Sequence, residues 1–521
     1  MRSTFHGLEV GKTGIFAQQS ALYTTGHNIS NANTKGYSRQ VANMQTSTAI
    51  PYPGMQMSKN PGQLGTGVVV SDIQRIRDNY LDIQYRNEIK HLGYWEARHD
   101  TLSNVEMILN EPSNSGLQSV LDKFWTSWQD LAKESEESSA RAIVLERAKA
   151  VAETLSAVRT GLLDQQRDLN GVINIKTQEI NSIATQIRDI NDQIARIEPH
   201  GYEANDLKDQ RDVLIDELSK LVNVDSVQQV YFADGRETGM VRVMIGDVAI
   251  VDGRQFTQME AVENEDTKLF DVTLGGAPVI LNRGELRGLL ESRGINVIDP
   301  DDPTATTMVS GILPDVIKHL DTLAVEMAKR INEVHSTGLT LDDINNGRTL
   351  ANGDKLLFFI DREHYEATGE YISPTDAGNF MVHPDIEGSL DKIAAGQQVL
   401  NDDGTYGSSH EADGTNASRI ASIKFEIADG LPETATFDDY LRNLIAKVGV
   451  QVTEAKRLSG NSQILADQIE YRRQSVSGVS LDEEMANMIK FQHAYNASAR
   501  TITALDEMLN TVINSMGLVG R

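Results

Sequence analysis

Apolar residues recur every seven positions at both ends of the chain. Near the N-terminus the repeat runs through Leu8, Ile15, Leu22 and Ile29. Near the C-terminus it runs through Met488, Tyr495, Ile502, Leu509 and Met516, with companions three residues later at Phe491, Leu505 and Val512. A seven-residue period places such side chains on one face of a helix. The pattern therefore predicts a heptad helix at each end, and we expect the two helices to pair as a coiled coil.

The N-terminal helix is predicted to be unstable alone. Gly7, Gly11, Gly14 and Gly26 interrupt it, and each glycine weakens a helix by about 0.8–1 kcal/mol relative to alanine. Residues 13–34 contain no Asp, Glu, Lys or Arg. Because its intrinsic propensity is low, this helix is expected to need a partner that covers its apolar face.

Helical periodicity also dominates the middle of the chain. Residues 113–198 contain no proline, and isoleucines spaced three and four residues apart form an apolar seam over 180–197. The segment "EPHGYE" at 198–203 interrupts this helix. A second helix over 207–222 is expected to return antiparallel to the first. Another helix is predicted over 309–336, where apolar residues again follow three-and-four spacing.

Strand patterns occupy residues 224–281. The segments 240–246 and 270–276 alternate apolar and polar residues, as half-buried strands do. Asp252–Gly253 between apolar runs is a hairpin signal. Residues 340–430 are rich in Gly, Asp and Asn, which favours loops with a few short strands.

These elements predict a mainly α fold with β insertions (α+β). Paired N- and C-terminal coiled-coil helices are expected to join a long helical bundle domain, which carries a smaller outer β-rich domain. The predicted parts are a terminal helical domain of residues 1–48 with 480–521, a helical bundle of 49–222 with 309–340 and 433–479, a β-rich part of 223–308, and a reduced outer loop/β region of 341–432.

Charge is distributed unevenly along the 521 residues. The formal net charge is −27, yet residues 1–48 hold four basic residues and one acidic residue. A surface this acidic repels phosphate backbones, so no nucleic-acid partner is expected. No apolar run is long enough to insert into a membrane, and no signal peptide is evident. The chain has no cysteine, which excludes disulfides and thiolate chemistry.

The sequence contains no complete catalytic, phosphate-binding or metal-binding motif among those considered below. "GKT" at 11–13 lacks the glycine that a phosphate loop needs five positions earlier, where His6 stands. "DDINNG" at 342–347 resembles a calcium loop, but Gly353 occupies the position where glutamate is required. No HExxH pair or GxSxG elbow is present. We therefore expect no catalytic, cofactor or metal site, and no enzymatic activity.

Two terminal segments carry a family resemblance. "ALYTTGHNISNANTKGYSRQ" (21–40) contains a turn with the signature residues Asn28, Asn31, Asn33, Gly36 and Tyr37. "SVSGVSLDEEMANMIKFQHAYNASARTITALDEMLNTVINSMG" (475–517) lies at the opposite end. Together they resemble the paired signatures of bacterial flagellar axial proteins, the rod, hook and hook-associated family. In that family the turn ends the inner helix and redirects the chain outward.

Three further stretches resemble the hook-associated members that join hook to filament: "GYSRQ" (36–40), "GTGVVVSDIQRIRDNYLDIQYRNE" (65–88) and "NDLKDQRDVLIDELSKLVNVD" (205–225). The resemblance implies a structural subunit of the hook–filament junction, which assembles on the hook tip and allows filament attachment. Two alternatives remain open. One is another axial protein, such as a hook or distal-rod subunit. The other is a secreted adhesin or enzyme built on an axial scaffold.

The resemblance also implies partners and a location. The partners are other copies of this chain in a ring, the hook protein, the second junction protein and an export chaperone at the C-terminal helix. The seam residues named above would form the subunit interface, and the terminal helices would fold only on assembly. The protein would be extracellular in the flagellum, after type III export without a cleaved signal peptide.

Overall fold

The computed structural model describes residues 5–50, 64–109, 113, 116–297, 308–349, 355–397, 410–427, 430–431 and 435–515. Most of these residues lie in helices and the strands form small antiparallel sheets, which confirms the predicted fold class. In chain order the helices are α1 (His6–Ser30), α2 (Asn79–Leu109), α3 (Leu117–Lys133), α4 (Ser138–Ile197), α5 (Asn205–Leu221), α6 (Glu285–Arg293), α7 (Ile312–Ser336), α8 (Leu341–Asn345), α9 (Arg362–Thr368), α10 (Pro384–Gly388), α11 (Thr415–Ser422), α12 (Phe437–Ser477) and α13 (Leu481–Ser515).

The strands pair only with near neighbours in the sequence. They are β1 (Gln40–Thr46), β2 (Val68–Arg75), β3 (Ser226–Tyr231), β4 (Glu237–Ile245), β5 (Val248–Asp252), β6 (Gln255–Phe256), β7 (Met259–Glu263), β8 (Phe270–Leu274), β9 (Ala277–Pro278), β10 (Ile295–Val297), β11 (Met308–Ser310), β12 (Phe359–Asp361) and β13 (Phe380–Val382). β3 to β6 form one sheet and β7 to β9 another, while β1–β2, β10–β11 and β12–β13 are two-stranded.

The predicted helical hairpin in the middle of the chain is confirmed. α4 ends where expected, at a short 3₁₀ turn over Glu198–His200, and α5 returns antiparallel. Lys208 on α5 pairs with Glu198, while Arg211 Nη1 donates to Asn191 Oδ1 at 3.0 Å. Most of the isoleucine seam of α4 is buried, at Ile180, Ile183, Ile187 and Ile194, whereas Ile190 is half-buried and Ile197 is exposed.

The predicted strands are confirmed at β4 and β8, and the hairpin at β5–β6. Gly253 has φ +58° in the turn between β5 and β6, a conformation that glycine adopts without steric penalty. Val243, Ile250 and Leu286 belong to the hydrophobic core that this sheet shares with α4, α5 and α6.

A second core lies around the N-terminal half of α4, with α3 and α7. Trp128 and Phe358 are fully buried, with ring centroids 5.2 Å apart. Phe359 and Phe380, on β12 and β13, belong to the same cluster. Side chains from the predicted outer region 341–432 therefore pack into the helical core. The boundaries of the four predicted parts themselves stay a prediction.

Residues 340–430 also contain more helix than their composition suggested. Thr340 caps α8 by accepting from the Asp343 backbone N–H at 3.0 Å, and Asp361 caps α9 by accepting from that of His364 at 2.9 Å. Such caps stabilise short helices because they satisfy backbone donors that have no partner inside the helix. The "DDINNG" segment is part of this capped turn, where Arg348 pairs with Asp343.

Two long helices connect the body to the chain ends. α12 packs antiparallel along α2, since Arg473 near its end lies 3.1 Å from Asp82 at the start of α2. Leu102 of α2 and Ala455 of α12 are buried in the same apolar cluster between these helices. In the described ranges, no helix has the length and hydropathy needed to cross a membrane.

Candidate functional site at the base of the terminal helices

The two terminal helices pack side by side and run antiparallel. Near the start of α1, Gly11 faces Ile502 of α13, and at the other end Asn28 Nδ2 donates to Glu484 Oε2 at 3.1 Å. A Cβ atom added to Gly11 would lie 2.7 Å from Ile502 Cγ1. Three of the glycines that weaken α1 as an isolated helix, Gly7, Gly11 and Gly14, are thus what allows α13 to approach so closely.

The predicted seam residues lie on the paired helices but are not fully buried. Half-buried positions are Leu8, Ile15, Leu22, Ile29, Met488, Phe491, Tyr495, Ile502, Leu505 and Leu509. Val512 is 50% exposed, and Met516 lies outside the described residues. The fully buried positions of α1 are instead small or polar: Gly11, Ala17, Ala21, Thr24, Thr25 and Asn28. That the seam forms an interface between subunits stays a prediction.

Large apolar side chains also remain on the outer faces of the pair. Phe16 and Tyr23 on α1, and Met508 and Ile513 on α13, are each more than half exposed. A single copy of the chain therefore leaves apolar surface on both helices open to further packing.

Asn28 is the centre of the signature turn. It is fully buried, and its Oδ1 accepts from the Gln40 backbone N–H at 2.9 Å and from the Tyr37 hydroxyl at 2.8 Å. Its Nδ2 donates to the Gln40 carbonyl at 2.8 Å as well as to Glu484. Burial, reinforced by the nearby carboxylate of Asp206, raises the pKa of Tyr37 well above its usual value, so this hydroxyl remains a hydrogen-bond donor.

The other signature residues shape the turn and dock it. Asn31 Nδ2 donates to the His27 carbonyl at 3.1 Å, which closes the end of α1, and Asn33 is exposed. Gly36 has φ +78°, and a Cβ added there would lie 2.1 Å from Val213 Cγ2 on α5. Glycine is therefore required at position 36 both by the backbone conformation and by the close approach of α5.

Arg39, directly after the turn, ties the N-terminal segment to the C-terminal one. Its Nε donates to Glu484 Oε1 at 2.7 Å, its Nη1 contacts Glu483 at 3.0 Å, and its backbone N–H donates to the Ser477 carbonyl at 2.8 Å. Glu484 is only 2% exposed although α13 is mostly uncovered. We refer to Asn28, Arg39 and Glu484 as the latch.

Below the latch, buried charges connect β2, α2, α5 and α12. We refer to these residues as the joint network: Arg75, Arg77, Arg86 and Arg473 with Asp82, Asp209, Asp212 and Asp216. The signature turn enters this network at Asp209, which accepts from the backbone N–H and the hydroxyl of Ser38, both at 2.8 Å.

Asp212 shows how the charges balance. Burial alone would raise the pKa of its carboxyl, but the guanidinium groups of Arg77, Arg75 and Arg86 hold that pKa well below its usual range. Arg86 in turn donates to Asp216 at 2.7 Å, and Arg473 from α12 reaches Asp216 at 2.9 Å. Because each buried charge has opposite charges around it, the network fixes how four elements meet.

The sequence alone did not identify the latch or the joint network. The segment 205–225 stood out only by resemblance, although Asp209, Asp212 and Asp216 follow three-and-four spacing on one face of α5. That spacing predicts an acidic helix face, but an acidic face is most often solvated. Its arginine partners come from elsewhere in the chain, and this is why the signal was not decisive.

The hydrogen bonds and ion pairs of this site hold structural elements together. Its ionisable groups bond to one another and leave little charge free for a substrate. Across the ranges that the structure describes, no group of three or more His, Asp or Glu side chains is placed to hold a metal ion.

Comparisons with known proteins cover the whole chain. Residues 102–350 match the family described as "Flagellar hook-associated protein FlgK helical domain", and residues 473–516 match "Flagellar basal body rod FlgEFG protein C-terminal". The chain is 34% identical to flagellar hook-associated protein 1 of Bacillus subtilis (strain 168), over 100% of both proteins. It is 26% identical to the Escherichia coli (strain K12) protein of the same name, over 96% of this chain and 98% of that protein.

A solved structure supports the fold. The flagellar hook junction protein FlgK from Burkholderia pseudomallei matches with a TM-score of 0.56, over 77% of this chain and 100% of that chain. The two sequences are 15% identical, so this likeness bears on the architecture alone.

Proposed function

The chain belongs to the flagellar hook-associated protein 1 family, and from this premise we propose that it is a structural subunit of the hook–filament junction. In this role it assembles on the hook tip and allows the filament to attach. The observation that carries the proposal is the antiparallel pairing of α1 and α13, which brings both chain ends together beneath an acidic body. A subunit that lies between two neighbours along the flagellar axis needs this arrangement, with its chain ends facing the axis and its body facing outward.

The open apolar surface of the terminal pair supports assembly with identical copies. Phe16 and Ile513 are more than half exposed, and the ends carry few charges. When many identical subunits pack together, repeated charges would repel, whereas apolar side chains gain free energy from burial. We therefore propose a ring of copies in which these exposed side chains join the predicted seam residues at the interface between subunits.

Further partners follow from the family. We propose contacts with the hook protein on one side and the second junction protein on the other. An export chaperone is proposed to cover α13 before export, which would proceed without a cleaved signal peptide to an extracellular position in the flagellum. We propose no enzymatic activity, no nucleic-acid partner and no membrane insertion.

The helical middle of the chain favours this role over the alternatives. A hook or distal-rod subunit is expected to be mainly β between its ends, whereas α2 to α5 form a long helical body. For a secreted adhesin or enzyme, the described residues offer no metal cluster and no specific feature in its favour.

A double substitution in the seam tests the proposal. Leu505 packs against α1, where a Cβ added to Gly7 would lie 3.0 Å from Leu505 Cδ1, and Leu509 is half-buried one turn later. Leu505→Asp with Leu509→Asp places two charges in this contact. We expect the variant to be absent from purified hook–basal bodies in a strain that lacks the native gene, while the 113–336 core stays folded by circular dichroism.

The matched control is Thr503→Asp with Asn510→Asp, which adds the same charge at exposed positions of α13. It should incorporate far better than the seam variant. Normal filaments from the seam variant would show that the seam is assigned wrongly. Absence of the unmodified chain from hook tips would refute the junction role itself.

A further inference from the structure

α12 carries an apolar stripe on the face that it turns away from the body. Val450, Ile464 and Tyr471 are 65%, 67% and 74% exposed, and Leu465 beside them is 46% exposed. The first three share a spacing of seven residues with Arg457, so they lie on one face of the helix. We refer to these five residues as the α12 stripe. The opposite face of α12 packs along α2. Because a surface helix normally buries its apolar stripe, this one indicates a partner outside the single copy.

The cations of this face have no partner in the body. Lys456, Arg457 and Arg472 are exposed, and none of them forms a salt bridge with any residue that the structure describes. By contrast, the adjacent Arg473 points inward and pairs with carboxylates of α2 and α5. In a chain with a formal net charge of −27, a face of unpaired cations stands out. It favours an acidic surface as the partner.

An acidic surface with an apolar centre lies on the sheet that contains β7. Val262 is 48% exposed, and around it Glu260, Glu263, Glu265 and Asp266 are exposed as well. Among the described residues, no lysine or arginine forms a salt bridge with these four acids. We refer to these five residues as the acidic hairpin. Its charge is opposite to that of the α12 stripe and its neighbouring cations.

The two surfaces lie on opposite flanks of one copy. α12 packs on α2, whereas the sheet that contains β7 packs on α4. α5 and α6 lie between these flanks, since each of them contacts both α2 and α4. A single copy therefore cannot bring its acidic hairpin to its own α12 stripe, but two copies side by side can.

The two surfaces also lie at the same level along the body. The turn after β7 is fixed to α4, because Asn170 Nδ2 donates to the Lys268 carbonyl at 3.3 Å. About one and a half turns earlier on α4, Gln165 Nε2 donates to the Thr101 carbonyl of α2 at 3.1 Å. The next residue of α2 shares a buried cluster with Ala455 of α12. The acidic hairpin is therefore level with the cations that directly follow Ala455.

We propose that the α12 stripe of one copy binds the acidic hairpin of the next copy around the hook tip. The contact is heterologous, since every copy offers one surface on each flank, and such contacts close into a ring when the rotation between copies allows it. Burial of the apolar side chains supplies free energy, while the opposite charges select the matching flank. The inference rests on the proposed function and adds which surfaces of the bodies meet.

The absence of cysteine from the chain allows this contact to be tested by cross-linking. Arg457→Cys with Glu263→Cys places one thiol on each flank. Flagella are purified from a strain that lacks the native gene and expresses this variant, and they are treated with a short bismaleimide. We expect a ladder of covalent multimers, because each copy is linked to a copy on either side.

The matched control is Arg457→Cys with Arg147→Cys. Arg147 is exposed on α4, about six turns before Asn170, which holds the acidic hairpin. This variant should remain monomeric under the same treatment. A ladder of equal strength in the control would overturn the proposal, as would monomers alone from the first pair in flagella that contain the chain.

Charge reversal tests the pairing independently. Lys456→Glu with Arg457→Glu places like charges against the acidic hairpin, and we expect at least about tenfold less of this variant in purified hook–basal bodies. Adding Glu263→Lys with Glu265→Lys restores opposite charges between copies, so incorporation should recover. Failure of this fourfold variant to recover would contradict the pairing.

The control for charge is Arg147→Glu with Arg419→Glu, which changes the net charge equally at exposed positions away from α12. It should incorporate like the parent, and all purified variants should keep the parental circular dichroism because the substituted side chains are exposed. Equal incorporation of the reversed α12 variant and this control would overturn the contact and leave the junction role intact. Absence of the unmodified chain from hook tips would instead refute the junction role, and this contact with it.

Discussion

At the scale of single residues, the signature turn combines one buried amide with one constrained glycine. The Asn28 side chain forms hydrogen bonds with the backbone of Gln40 and donates to Glu484, which lies 456 residues further along the chain. Gly36 adopts a left-handed backbone conformation, φ +78°, which lets the turn pack directly against Val213. The amide fixes the start of the turn and the glycine fixes its end.

Gly36→Ala should loosen this turn. The substitution adds a methyl group 2.1 Å from Val213 Cγ2 and places a side chain at positive φ, which together oppose docking by about 2 kcal/mol. We expect amides of the 28–40 segment to exchange with solvent deuterium roughly 30-fold faster, since 1.4 kcal/mol corresponds to about a factor of ten.

Gly26→Ala is the matched control, because a Cβ added to Gly26 has nothing within 4 Å. It should leave exchange in the turn unchanged or slower, since alanine favours the helix. Adding Val213→Ala to Gly36→Ala should recover part of the protection. Unaltered exchange in Gly36→Ala would show that the turn does not depend on docking to α5.

At the scale of elements, the acidic face of α5 organises the base of the terminal helices. Asp209 accepts a hydrogen bond from Ser38 in the signature turn. Asp212 accepts from Arg75 of β2 and Arg86 of α2, and Asp216 accepts from Arg473 of α12. Four elements that are distant in sequence therefore meet on one helix. Because the bonds are directional and buried, they set the orientation of these elements more strictly than apolar packing alone would.

Asp212→Asn should destabilise this meeting point strongly. The substitution leaves Arg75, Arg77 and Arg86 buried with one counter-charge fewer, and breaking a buried ion pair from one side costs about 3–5 kcal/mol. We expect a clearly lower midpoint in urea unfolding monitored by far-ultraviolet circular dichroism.

Asp234→Asn is the corresponding control on the surface. Asp234 also pairs with an arginine, Arg236, but in an exposed hairpin turn. The control should unfold at the parental midpoint. Equal midpoints for Asp212→Asn and the control would mean that the buried charges are not needed to hold the elements together.

At the scale of the whole molecule, one helix spans both cores. α4 has 60 residues, which corresponds to roughly 90 Å at 1.5 Å per residue. Its first half packs with α3 and α7, and its second half with α5 and the sheets. His335 packs against Phe358 of the core around the first half of α4. It is 1% exposed and joins α7 to the segments around Leu356 and Ala394.

His335 makes the stability of this core depend on pH. Its Nδ1 lies 2.9 Å from the Leu356 carbonyl and its Nε2 accepts from the Ala394 backbone N–H at 3.0 Å, which requires a neutral ring. Burial, together with His383 and Arg141, lowers the pKa of His335 to about 4. The unfolded chain binds a proton below about pH 6.5 while the folded chain does not, so stability falls as the pH drops from about 6.5 to 4.

We expect the free energy of unfolding to decrease by about 2 kcal/mol between pH 7.5 and 5.0 from this residue. His335→Gln keeps one donor and one acceptor but does not titrate, so its urea midpoint should change much less over the same range. A remaining decrease is expected from His383, whose pKa burial also lowers. The same pH dependence in both proteins would exclude His335 as the cause.

The sequence by itself determined the local elements and the family. Heptad spacing predicted the terminal helices, three-and-four spacing predicted α4 and α7, and alternation predicted β4 and β8. These features follow from the period of a helix or a strand, which involves residues only a few positions apart. The signature segments at 21–40 and 475–517 led to the family for the same reason, since they are short and continuous.

Only the tertiary structure decided what the glycines, the charges and the outer region do. The glycines of α1 weakened the predicted helix, but the close approach of α13 shows that Gly7, Gly11 and Gly14 form its contact surface. The aspartates of α5 could have been solvated until arginines from β2, α2 and α12 were placed beside them. Residues 341–432 suggested loops through their Gly, Asp and Asn content, but apolar side chains such as Phe359 and Phe380 pack into the core with α3, α4 and α7. In each case the deciding partner is far away in the sequence, where periodicity and local propensity carry no information.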